Sequence, residues 1–249
     1  MARTALPGRL SWRFASVVEV IDETAQTRSI VLDVAGWPGH RAGQHVDVRL
    51  TAADGYQAER SYSIASAPED AELVLTVERL DAGEVSPYLA DELRPGDELE
   101  LRGPIGGYFV WEQGLGGPLL LLAGGSGIVP LRSMLRHHAA TESRVPVRLL
   151  YSARTIEDVI YQDELAQYAT LDDVEIRFAL TRAWPEGWQG YRRRIDRAML
   201  EEVAWPPSAT ALVYVCGPTA FVEVAASTLV ELGHDAHRIK TERFGPTGA

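Results

Sequence analysis

From Trp12 to about Leu101, apolar residues recur at every second position in short segments set apart by Gly, Pro and Asp: WRFASVVEV, TRSIVLDV, GQHVDVRL, RSYSIAS, ELVLTVERL and DELELR. Side chains on a strand alternate between its two faces, so this period marks half-buried strands. Six such runs at this spacing predict an antiparallel sheet closed into a small Greek-key barrel. One helical segment interrupts them. Ser86 followed by Pro87 reads as an N-cap with proline at the first helical position, YLADEL continues the turn, and Pro95-Gly96 stops it.

Past Pro104 and a glycine-rich connection (GPIGGYF, then EQGLGGP) the period changes. Continuous apolar runs, PLLLLAGG, VPVRLLYS, VEIRFALT and ALVYVCG, read as strands buried on both faces. Between them PLRSMLRHHAA, YQDELAQYA, IDRAMLEEV and AFVEVAASTLVELG read as amphipathic helices, and a last strand is expected around Ile239 to Phe244. The pattern predicts a two-domain chain, with an antiparallel barrel over 1–113 and a doubly wound parallel α/β domain over 114–249.

Composition narrows what these domains can do. With 24 basic against 35 acidic residues the formal charge is -11, which argues against nucleic acid as the main partner because phosphate binding needs a basic face. The single cysteine, Cys216, excludes an intrachain disulfide and any cysteine-ligated iron-sulfur cluster or zinc site within the chain. No apolar run approaches the ~20 residues of a membrane helix and the start lacks a signal-peptide core, so the expectation is a cytoplasmic protein without membrane insertion. Lys240 is the only lysine and asparagine does not occur, a bias toward arginine that weakens the weight of any one arginine as a functional signal.

Four segments carry candidate chemistry. AGGSGIVPL follows the first buried strand and opens a helix, where free backbone N–H groups and a positive helix end suit a pyrophosphate. It reads G-x-G-x-x-P and no acid follows about 20 residues on, so a tight turn in a non-nucleotide domain fits the same residues. Arg60-Ser61-Tyr62-Ser63 places a guanidinium, a flat ring and a hydroxyl on one short strand, which suits a flavin nucleotide or an ordinary exposed strand. The segment from Gly83 to Ser86 offers a second anion site. Cys216-Gly217-Pro218 ends the fourth buried strand, where a lone cysteine reads first as core packing. His234 and His237 read as surface residues, and His137-His138 as partners of the carbonyls at their helix end.

In this order, RSYSIAS, GEVSPYL, GPIGGYF, AGGSGIVPL, YSARTIEDVIYQDEL, VCGPTAFV and a terminal Glu-x-aromatic resemble the ferredoxin-NADP reductase family from about Trp12 to Phe244. The resemblance implies an FAD-binding barrel followed by a nicotinamide-nucleotide-binding α/β domain. It makes Arg60 the ligand of the FAD pyrophosphate, Tyr62 the ring on the flavin and Ser63 the hydroxyl near flavin N5, with Gly83, Val85 and Ser86 cradling the same pyrophosphate. Gly125, Ser126, Gly127 and Pro130 would take the nicotinamide nucleotide's pyrophosphate, with Cys216, Gly217 and Pro218 lining the nicotinamide pocket. Glu242 and Phe244 match the terminal Glu-x-Tyr, with Phe for Tyr and with Gly245 to Ala249 extending past the residue where many relatives end.

The implied reaction is hydride transfer from NAD(P)H to flavin N5, with Ser63, Cys216 and Glu242 at the reacting atoms, followed by delivery of electrons to a one-electron acceptor. The acceptor is expected to be separate: a ferredoxin-type protein, an oxygenase component, or a small molecule such as free flavin or a ferric chelate. A regulatory subunit that binds both nucleotides without turnover is the alternative from another class. In the family the 2′-phosphate of NADP is held after the third α/β strand, where this chain reads Thr181-Arg182 and, further on, Arg193; Arg154 ends the second strand in place of an acid. These residues predict NADP(H) over NAD(H).

Overall fold

The computed structural model describes residues 10–52 and 54–245. Strands β1 (Trp12–Thr24), β2 (Thr27–Asp33), β3 (His45–Thr51), β4 (Gln57–Ser63), β5 (Leu73–Glu78) and β6 (Glu98–Ile105) form one antiparallel sheet in the order β4-β3-β6-β1-β2-β5. The two ends of this order meet at a bridge between Ile64 and Leu75, so the sheet closes into the expected barrel. Its alternating positions explain the closure: Ala15, Val17, Ile30, Leu32, Val46, Val48, Leu75, Val77, Leu99 and Leu101 all turn into one buried cluster.

The second half holds β7 (Leu119–Gly124), α1 (Ile128–Ala140), β8 (Val147–Ala153), α2 (Gln162–Tyr168), β9 (Val174–Leu180), α3 (Arg197–Val203), β10 (Leu212–Pro218), α4 (Thr219–Glu231) and β11 (Ile239–Phe244). All five strands are parallel, in the order β11-β10-β7-β8-β9. Every residue of β7 is buried because both its faces are covered. Leu119, Leu121 and Ala123 pack with α1 on one face, and Leu120 and Leu122 pack with α3 and α4 on the other. The first of these clusters also takes Ala42, Ala65, Phe109 and Trp111 from the barrel side, so the two sheets share apolar packing. Polar contacts reinforce the seam: Arg136 meets Asp70 at 2.9 Å, the Ser133 hydroxyl donates to Ser66 O at 2.7 Å, and the Tyr161 hydroxyl donates to Thr76 Oγ1 at 2.5 Å.

Several local expectations need correction. Ser86 does not cap a helix with its side chain; its hydroxyl instead accepts the Leu80 N–H at 3.1 Å, and the turn over Tyr88–Glu92 is wound wide, with the Leu93 N–H reaching Tyr88 O. β9 lies at the sheet edge, so its centre from Glu175 to Phe178 is only half-buried. His234 is buried, at 8% exposure, where it was expected on the surface. Neither ring of His137-His138 turns to the helix end: His137 meets Glu69 at 2.8 Å and His138 reaches Val145 O at 2.8 Å while packing beside Trp111. Of the tail beyond Phe244 only Gly245 lies among the described residues. No helix among them is long and apolar enough to cross a membrane.

Candidate functional site

The strand order fixes where a ligand can enter. From β7 the chain winds outward through β8 to β9, then returns to β10 on the other side of β7, so a crevice opens at the carboxyl ends of β7 and β10. The two motifs of the α/β half meet there. Gly124 ends β7, Gly125 to Gly127 form a single tight turn whose carbonyls take the Ile128 N–H, and α1 begins without a side-chain cap, so the positive end of turn and helix faces the crevice. Gly125 has φ +55° with open space beyond its Cα, a position glycine occupies without strain. Gly127 is tight for another reason: a Cβ there would fall on the Cys216 carbonyl, so this glycine lets α1 lie against β10. Pro130 is buried in the first turn of α1. Gly217 and Pro218 close the crevice, in contact range of Gly124.

β11 places the chain end along this crevice. In its parallel register Glu242 lies beside Cys216, Arg243 beside Gly217 and Phe244 beside Pro218. Across the seam, β3 pairs His45 with Ser63 of β4, and His45 Nδ1 approaches Glu242 Oε1 at 3.9 Å. The three groups expected at the reacting atoms, Ser63, Glu242 and Cys216, thus follow one another through His45 from the barrel to the α/β sheet. His45 was not singled out by the sequence, because a histidine in an alternating strand carries no motif of its own.

Burial sets the protonation of this group. It pushes the Glu242 carboxyl up to about 7, pushes the His45 imidazole below its ordinary range and drives the Cys216 thiol well above the usual thiol value. Cys216 is therefore a neutral wall and not a thiolate nucleophile. Because the folded state raises the Glu242 value above the unfolded 4.5, its stabilising contribution is complete below pH 4.5 and is lost as pH rises through about 7. Flavin-free protein is expected to lose up to about 3 kcal/mol of stability on this account between pH 5 and 8, an upper figure since the carboxyl is partly solvated. Glu242→Gln should remove that loss in urea unfolding at the two pH values; an unchanged pH slope would contradict it.

The barrel half presents its anion site on β4. Arg60 shares a face with Tyr62, opposite Val48 and Val46 of β3, while Ser61 and Ser63 face the other way. Tyr62 packs its ring on the barrel core. Arg60 is half exposed and donates to Glu84 Oε2 at 2.5 Å, which brings β4 against the segment from Gly83 to Ser86. Val85 is buried, yet among the described residues neither its N–H nor that of Ser86 finds an acceptor. An arginine, two unpartnered backbone donors and a half-buried ring within one patch fit the pyrophosphate and flat ring of FAD. Glu84 is the feature that sequence reasoning missed.

At the far side of the crevice, Thr181 and Arg182 leave β9 beside Arg154, with the Arg182 N–H donating to Arg154 O at 2.9 Å. The Arg154 and Arg182 side chains are exposed, and no ion pair to either is present among the described residues. Arg193 differs. Its guanidinium is held by Asp196 at 2.5 Å and lies over the Tyr191 ring, so it is engaged away from the Arg154 and Arg182 pair.

Comparison with known proteins agrees with this arrangement. Residues 16–110 match the family model described as an oxidoreductase FAD-binding domain, and residues 121–227 match the oxidoreductase NAD-binding domain. The chain is 34% identical over 236 residues to the glycine betaine monooxygenase reductase subunit of Pseudomonas aeruginosa, covering 92% of this chain and 63% of that protein's length. It thus spans under two thirds of that relative. It is 35% identical over 210 residues to ferredoxin-NADP reductase B of Sorangium cellulosum, covering 82% of this chain and 84% of that one. Among solved structures, the flavohem-like FAD/NAD binding domain of nitric oxide dioxygenase from Vibrio cholerae superposes with a TM-score of 0.84 at 26% identity, covering 94% of this chain and 99% of that one. A closed antiparallel barrel with an arginine-centred anion patch, joined at a crevice to a parallel sheet with a glycine turn before α1, and these matches over both halves, make the chain a member of the ferredoxin-NADP reductase family of flavoprotein oxidoreductases.

Proposed function

We propose that the protein oxidises NADPH and delivers the electrons to a separate one-electron acceptor, the barrel over 1–113 holding FAD and the α/β domain over 114–249 holding the nicotinamide nucleotide. The observation that carries this reading is the alignment of Ser63, His45, Glu242 and Cys216 across the seam, at the mouth of the β7/β10 crevice. FAD, when bound, supplies a ring that accepts a hydride and releases electrons singly. The residues around it bind, orient and hold protons. Arg60 and the Val85 and Ser86 N–H groups hold the pyrophosphate, Tyr62 supports the ring, and Phe244 covers it beside Pro218. The Ser63 hydroxyl, which has no hydrogen-bond partner among the described residues, is free to meet a ring nitrogen, and Glu242 holds a proton close by near neutral pH. The turn from Gly125 to Gly127 with α1 takes the second pyrophosphate, and the small Cys216 side chain and the bare backbone of Gly217 leave room for the nicotinamide ring.

Two exposed guanidiniums, Arg154 and Arg182, with the Thr181 hydroxyl beside them, support selection for a 2′-phosphate. Arg193 would join them only by leaving Asp196. Charge-assisted contacts of this kind are worth roughly 1.5 to 3 kcal/mol each, so kcat/KM for NADPH should exceed that for NADH by at least about tenfold. Arg182→Ala should erase most of that ratio while sparing NADH turnover. Equal kcat/KM values in the unmodified enzyme would refute the preference.

For the acceptor, a relative that is a monooxygenase reductase subunit points to an oxygenase component or its ferredoxin-type carrier. One cysteine cannot ligate a cluster within these 249 residues, so a cluster that takes the electrons lies outside them. Measuring NADPH-driven reduction of a plant-type ferredoxin, free flavin and ferric citrate side by side tests this: the ferredoxin should be reduced fastest, and a faster small molecule would overturn it.

A further inference from the structure

Glu84 stands where an anion-binding patch has no use for a carboxylate. Both of its oxygens are taken: Arg60 donates to Oε2 at 2.5 Å and the Tyr56 hydroxyl donates to Oε1 at 3.0 Å. The other terminal nitrogen of Arg60 is turned to Glu59 O at 2.7 Å. Two of the five guanidinium N–H donors are thus engaged within the protein, and a phosphate that takes both terminal nitrogens in a fork must displace the carboxylate from Nη2. The contact is easily displaced, since Arg60 and Glu84 are each about half exposed, 52% and 49%, and such a pair is worth about 1 kcal/mol or less. Next to Glu84 in the chain are the N–H groups of Val85 and Ser86, unpartnered among the described residues, which a diphosphate on Arg60 would also use.

We propose that Glu84 is an internal competitor of the FAD pyrophosphate for Arg60, a specificity-determining residue that keeps the flavin exchangeable. The inference rests on the reading of Arg60 as the pyrophosphate ligand. A ligand without phosphates gains nothing from opening the pair, so Glu84 acts on FAD and leaves riboflavin alone. Its effect also requires Arg60: with the guanidinium gone, only a weak through-space repulsion between Glu84 and the diphosphate is left, worth about twofold at most in water.

The test is equilibrium titration of flavin-free protein with FAD and with riboflavin, followed by quenching of flavin fluorescence, in a double-mutant cycle of Glu84→Gln and Arg60→Ala. Glu84→Gln should tighten FAD about five- to tenfold and leave riboflavin unchanged, and in the Arg60→Ala background its gain should fall to twofold or less. Unchanged or weaker FAD binding by Glu84→Gln, an equal gain for riboflavin, or a full gain without Arg60 would overturn the competition. If Arg60→Ala alone leaves FAD affinity unchanged, the pyrophosphate reading itself falls, an outcome separate from these. Glu84 is half exposed on a loop and glutamine is isosteric, so unchanged far-ultraviolet circular dichroism certifies the fold of each variant.

Discussion

Gly127→Ala lowers the stability of the α/β domain by about 3 kcal/mol or more, a fall of roughly 10 °C in Tm for a chain of this size. The backbone at Gly127 is ordinary helix, φ -62°, so no strain attends the substitution itself. The cost is steric. The new methyl group would overlap the carbonyl of Cys216 and come within 2.8 Å of Gly217 N, both main-chain atoms of an interior strand, held between β7 and β11 and unable to step aside. α1 must then lift off β10, and the crevice between them widens, so nicotinamide-nucleotide affinity falls with stability. Gly125→Ala is the control: its methyl group meets nothing, and only the left-handed backbone is penalised, by about 1 kcal/mol. Thermal unfolding of both variants checks the contrast, and equal effects would show that the close approach of α1 to β10 is not what the glycine serves.

Arg60→Ala raises the Kd for FAD about a hundredfold. Two charge-assisted bonds to phosphate contribute about 1.5 to 3 kcal/mol each, and opening the Glu84 pair offsets part of that, leaving roughly 3 kcal/mol. The variant should therefore purify with little flavin and recover the yellow colour only at high added FAD. The Tyr62 ring, packed on the barrel core, is left in place, so riboflavin binding should move much less. Wild-type affinity for FAD in Arg60→Ala would remove the barrel's anion patch from the account.

The regions of the fold that were legible in the sequence are those where burial leaves a period. β2 and β5 alternate because one face of each lies in the barrel core, and β7 reads as an unbroken apolar run because both faces are covered. β9 illustrates the limit: its run of apolar residues is that of a central strand, yet Arg177 and Glu175 already mark the edge, where they pair with each other at 2.6 Å. Capping at Ser86 was misread because the residue type is right for a cap, while the loop turns its hydroxyl back to Leu80. The histidines were misread for a related reason. His138 and His234 carry polar rings, but packing buries both, the first beside Trp111, and no local pattern reports a contact made by distant chain.

The candidate site divides along the same line. Its motif-bearing members, Arg60, Tyr62, Ser63, Gly125, Cys216 and Glu242, stood out because their residue types and order carry chemistry. The two that modify them, His45 beside Glu242 and Glu84 on Arg60, act through contacts between segments, over 197 and 24 positions of sequence respectively. Only the closed barrel and the seam bring them into place. Likewise the difference between Arg182, unpaired among the described residues, and Arg193, held by Asp196, depends on a helix cap that competes for the guanidinium.

Anaerobic titration of the FAD-loaded protein with NADPH, followed at the visible flavin band, tests the central claim most directly. On the proposed reading, Tyr62, Ser63, Glu242 and Cys216 bring one nicotinamide against one flavin. A single equivalent of NADPH per bound FAD should accordingly remove the visible absorption, and subsequent addition of an oxidised ferredoxin should restore it. A band that persists under excess NADPH and NADH, in protein that still binds both nucleotides, would contradict an oxidoreductase and leave a binding protein in its place.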